Sequence, residues 1–127
     1  MIKMEGRLLN LEKTDTMKRK FAKGCEITFP NKVPVYLNFN DNDPTSVIGN
    51  AEIIRDDEGL ACKVNLININ ENLIKEEYYV GGYYTSVKKH DDKGLTVIDA
   101  ATLRSMSIVS APSDKSLIIR KCKEKQL

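Results

Sequence analysis

A mainly β fold, a single-domain antiparallel β-barrel-like sheet with one or two short helices, is what this sequence of 127 residues predicts. Three observations carry the prediction. Apolar residues alternate with polar ones over short stretches, the period of strands that bury one face. Turn-forming Gly, Asp, Asn and Pro separate those stretches. The length suits one domain, which at this size buries about two thirds of its unfolded surface without disulfides or a structural metal. No repeat or composition shift marks a second domain, so residues 1–127 are read as one unit.

From Ile2 to Leu11 the residues Ile2, Met4, Gly6 and Leu8 share one face of a strand. The polar, basic segment from Thr14 to Cys25 places Met17 and Phe21 four apart, which predicts a short helix or turn capped by Asp15 and stopped by Gly24. VPVYLNF then sets Val33, Val35, Leu37 and Phe39 against Pro34, Tyr36 and Asn38. Pro34 cannot donate a ladder hydrogen bond, so this strand is expected to begin at an edge or a bulge. That edge is a candidate docking surface. VIGNAEIIR and GLACKVNLI flank the turn DDEG, where Gly59 supplies the positive φ of a tight hairpin. Asn70 to Glu77 reads as a short helix, capped by Asn70 or Asn72, with Leu73 and Ile74 inward. A second hairpin follows: YYVGGYYTSVKK, a turn at HDDKG, then LTVIDAATL. RSMSIVSAP, a turn at SDKS and the strand LIIRK close the pattern.

Composition narrows the chemistry. Twenty Lys and Arg face 18 Asp and Glu for a net charge of +2, so there is no electrostatic argument for a nucleic-acid or membrane partner. No apolar run reaches the ~20 residues of a membrane span, and MIKMEGRLLN is too charged for a signal-peptide core. A soluble, cytoplasmic protein is the expectation. Cys25, Cys62 and Cys122 are odd in number and form no CxxC pair, so they read as free thiols, with Cys62 a small core residue. The acidic pairs Asp56/Asp57 and Asp91/Asp92 belong to turns, and DNDP lacks the spaced oxygens of a calcium loop. No cofactor or metal is expected. Four tyrosines, Tyr78, Tyr79, Tyr83 and Tyr84, cluster around Gly81 and Gly82. Without a basic stripe beside them they read as cross-strand aromatic pairs and not as a platform for bases.

Ser107 stands out because it lies inside an apolar, strand-like stretch, with Met106 and Ile108 on the face opposite to it. A nucleophilic serine needs a base within hydrogen-bond reach, normally histidine, and this chain has one histidine, His90.

The order of these stretches resembles the prohead (capsid maturation) serine proteases of tailed bacteriophages, a family whose fold is similar to herpesvirus assemblin. EGRLLNLEKTD, FAKGCEITF, VPVYLNFND, VIGNAEIIRDDEGLACKVNLI and LRSMSIVSAPSDKSLII carry the resemblance over nearly the whole chain. It is strongest at VIGNAEIIRDDEGL and MSIVSAP. The resemblance places the family serine on Ser107. It places the family histidine just after PVYLN, where this chain has Phe39, Asn40 and Asp41. Asn40 has no nitrogen that titrates near neutral pH and cannot serve as general base. Met106 replaces the acidic residue that often precedes the family serine.

Retaining the frame while losing the base leads to the first expectation, a phage capsid-associated or assembly protein without proteolysis, working in the bacterial host cytoplasm or the prohead. Its partners would be capsid, scaffold or another phage structural protein, and assemblin dimers make self-association a further expectation. A second reading is an active maturation endopeptidase in which Ser107 is activated by His90 or by Asp41. A third is a small phage-encoded binder of a host factor or a nucleotide.

Overall fold

Alternation puts one row of side chains inward on each strand, and in this chain seven strands bury that row by closing on one another. The computed structural model describes residues 2–37 and 46–122. Within them run β1 (Ile2–Asn10), β2 (Arg19–Thr28), β3 (Lys32–Leu37), β4 (Gly49–Asp56), β5 (Gly59–Leu66), β6 (Glu77–Asp92), β7 (Leu95–Val109) and β8 (Ile118–Lys121). The barrel runs β7–β3–β4–β5–β1–β8–β6 and returns to β7. Its interior is filled by Leu8, Val35, Leu60, Leu103, Met106 and Ile119, all fully buried. Most ladders are antiparallel, but β2 and β3 both pair parallel with β7, along successive stretches of the same edge.

The first strand carries a bulge. Arg7 opposes Ala61 and Leu9 opposes Leu60, so Leu8 is the extra residue, and both leucines reach the core. The β4–β5 hairpin turns through Asp57 and Glu58. Asp56 accepts hydrogen bonds from the N–H groups of Glu58 and Gly59, and Gly59 has a φ of 143°. A Cβ on Gly59 would also lie 2.2 Å from the Leu9 carbonyl oxygen, so the turn needs glycine for shape and for space.

Several expectations are corrected. Thr14 to Cys25 is not helical: Asp15 caps a turn by accepting the N–H groups of Met17 and Arg19, and the chain then enters β2. Met17 is 66% exposed while Phe21 packs on Tyr84, so the two residues do not share a buried face. Pairing with β7 outweighs a weak local helical pattern. Pro34 is not on an edge strand, because β3 lies between β4 and β7. Its missing N–H is accommodated where the β7 ladder has yet to begin, at Val35. Of the Asn70–Glu77 segment, Glu71–Leu73 forms a single 3₁₀ turn, with the Asn70 side chain accepting from the Asn72 N–H. Ile74 is buried there, but Leu73 points outward at 73% exposure. The turn expected at HDDKG shrinks to Lys93 and Gly94, both with positive φ, so His90 stands in a strand. Phe39, Asn40 and Asp41 lie outside the described residues.

Candidate functional site

The long β6–β7 hairpin positions both candidate residues and separates them. Ser107 pairs with Tyr36 of β3 on one side and with Gly81 of β6 on the other. It is fully buried, at 0% exposure. Its neighbour Met106 fills the barrel core, so the position before the serine has an apolar packing role. His90 pairs with Val97 near the far end of the hairpin. From the level of residue 97 to that of residue 107 is on the order of 30 Å of strand, at ~3.3 Å per residue. The structure does not bring Ser107 and His90 together, and direct proton transfer between them would need approximately 3 Å.

His90 has a different companion. Its Nδ1 lies 2.6 Å from Asp99 Oδ2 across the hairpin, with both side chains about half exposed. Asp99 is the extra residue where the register slips between the Lys88–Ala100 and Lys89–Ile98 pairs, and the bulge aims it at His90. The pair was not readable beforehand, since the sequence shows neither the bulge nor how far the strands extend. Among the described residues no group of three His, Cys, Asp or Glu could hold a metal ion.

Burial works against the thiolate form at both buried thiols. Burial pushes Cys62 up to about 12, against the smaller opposing effects of the Gly6 backbone and Arg7. Burial also raises Cys25.

The β6–β7 hairpin overshoots the barrel, and β2 lies along its β7 edge to form a three-stranded extension. Facing this extension are two loops that the sequence leaves a hundred residues apart: the Asn10–Asp15 segment and the Ala111–Leu117 segment. The Thr16 N–H donates to the Ser113 carbonyl at 3.0 Å, and Asn10 Nδ2 donates to Ser116 Oγ at 3.0 Å. Lys13 pairs with Asp114 at 3.0 Å. Between loops and extension lies a cleft of about 570 Å³, within the size range of small-ligand and peptide sites. Its walls include Leu9, Phe21, Tyr84, Val87, Ile98 and Leu117.

Tyr84 joins the barrel to the extension. Its ring contacts Phe21 at 5.0 Å between centroids and folds back over Gly82, where a Cβ would come within 2.8 Å of it. Its hydroxyl is buried without a hydrogen-bond partner among the described residues, and burial raises its pKa. No family model, curated protein or solved structure matches this chain.

Proposed function

We propose that this chain is a phage capsid-associated or assembly protein, built on a prohead-protease-like frame and working by binding instead of cleavage. The observation that carries the reading is the separation of Ser107 from the chain's only histidine: Ser107 is fully buried, and His90 lies at the other end of the hairpin. A nucleophilic serine normally draws on a histidine within hydrogen-bond reach, and His90 is not within reach of Ser107. The order of motifs supports the phage context. The parallel pairing of Tyr36 with Ser107 sets the PVYL strand beside the MSIV strand. Capsid, scaffold or another structural protein of the particle is the partner, in the host cytoplasm or the prohead.

Co-expression with the capsid and scaffold proteins encoded nearby tests this. The expected result is co-sedimentation with assembled shells, capsid chains of unchanged length, and no effect of Ser107→Ala on either. A shortened capsid protein that disappears with Ser107→Ala would overturn the reading in favour of an active endopeptidase.

A further inference from the structure

Where β8 stops pairing, β6 continues alone. The ladder between them covers Glu77 to Tyr79, and the Val80 N–H then donates to the Leu117 carbonyl at 2.9 Å. Among the described residues no strand pairs with that edge of β6 from Gly82 to Asp92. Alternation decides which groups face the open side. Val80 turns its N–H toward β8, so Gly82, two residues on, turns its main-chain groups the same way. Unpaired strand groups are a template for another chain, and a glycine in a strand lets a second backbone come close.

These groups open onto the cleft, whose floor is apolar and whose far wall is already tied down by the loop contacts. Five charged side chains line it: Lys13, Asp15, Arg19, Lys89 and Asp114. Asp15 is held by Arg19 at 3.1 Å and Asp114 by Lys13, while Lys89 has no ion pair among the described residues. One cation is left over, which favours an acidic occupant.

We propose that the cleft binds a short, extended, acidic peptide segment of a partner protein, which adds to the β6 edge at Gly82. Its main chain completes the ladder where β8 leaves off. An apolar side chain lies against Phe21 and Tyr84, and a carboxylate sits beside Lys89. A compact small molecule would leave the Gly82 groups to water, whereas an extended segment satisfies the edge and the apolar floor together. The register break after Thr85, with Ser86 at a φ of 52°, and the lysines beyond it limit the addition to a short segment. Bulges and edge lysines prevent open-ended sheet growth. The inference rests on the binding reading above and names its surface.

The test uses the purified full chain and a displayed library of random octapeptides. Selection is expected to enrich peptides that alternate apolar residues and carry Asp or Glu. With a selected peptide, amide hydrogen exchange at Gly82 should slow by roughly tenfold or more, the sign of a newly paired strand group. N-methylation of alternate peptide amides should weaken binding on the strand-pairing register only. Lys89→Glu should weaken binding roughly tenfold and recover it when the peptide's acidic residue becomes lysine. Failure to enrich any peptide, or enriched peptides that leave Gly82 exchange and Lys89→Glu binding unchanged, would overturn the proposal. Lys89 is exposed, so Lys89→Glu leaves the fold intact and its result is readable by itself. If the chain co-sediments with shells while the peptide tests fail, the assembly reading stands and this surface is wrong. If peptides bind and shells do not, the reverse holds.

Discussion

The barrel and its three-stranded extension are made from the same hairpin but solve the edge problem differently. Inside the barrel each strand has a neighbour on both sides, and the side chains between them are sealed, with Leu8, Val35, Leu103, Met106 and Ile119 all at 0% exposure. Closure removes edges and fixes register, because a slip by one residue would turn each core side chain outward. In the extension the same two strands slip register repeatedly, bury a small cluster of Cys25, Ile98 and Ala101, and among the described residues keep one edge open. Stability is concentrated in the closed part, and among the described residues the open part retains unpaired main chain, a cleft and a lysine without an ion pair.

Several measurements can break this comparison or sharpen it. The largest effect is expected in the barrel: Leu103→Ala should cost about 3–4 kcal/mol in urea unfolding, because the site is sealed on all sides and cannot collapse. In the extension, Ile98→Ala should cost only about 2 kcal/mol, since its cluster is small and can relax into the cleft. Equal losses would show the two regions to be equally well packed and would remove the contrast. Tyr84→Phe tests the seam between them. It keeps the contact with Phe21 and deletes a buried hydroxyl that has no partner among the described residues, so it should stabilise the chain by about 1 kcal/mol. A lower melting temperature would reveal a partner for that hydroxyl.

Acid should act on the loop wall of the cleft. Burial alone would raise Asp114, but the Ser116 hydroxyl and N–H and the ammonium of Lys13 outweigh it and hold its carboxyl below the usual range. The hydrogen bond from Arg7 does the same for Asp56 at the barrel hairpin. A carboxyl whose folded pKa is depressed adds stability at pH values above its unfolded pKa of about 3.9, and that stability is lost as pH falls through the folded value. Melting temperature should therefore fall below about pH 4, and Asp114→Asn should flatten part of that slope. The smallest effect is expected at the tip of the hairpin. His90→Gln removes an exposed pair and should change stability by less than about 0.5 kcal/mol. A larger loss there would mean that the extension depends on the His90–Asp99 contact.

The strands that follow clean alternation were legible from residues alone. Val33 and Val35, the arms on either side of DDEG, and the inward row Met4 and Leu8 all fall where period two places them. Legibility failed where pairing partners decide the outcome. Nothing local marks Arg19–Thr28 as a strand, since its basic residues and Gly24 suit a solvated turn, and only β7 beside it supplies the ladder. Pro34 looked like an edge marker because proline cannot donate, yet its position just before the β7 ladder lets an interior strand carry it. At the candidate site, Ser107 was recognisable as a buried strand serine. Its distance from His90 was not, because HDDKG looked like a broad turn and proved to be two strand ends around Lys93 and Gly94.

Sequence alone was sufficient for a mainly β chain, its two hairpins, its free thiols and the lack of a histidine near PVYLN. Those properties depend on side-chain period, turn chemistry and residue identity, which act over a few positions. Closure of seven strands, the overshoot of the β6–β7 hairpin, the open edge at Gly82 and the cleft facing it were decided by tertiary structure. Each depends on which distant segments lie side by side, and a hydrogen-bond ladder carries no record of its partner in the strand's own sequence.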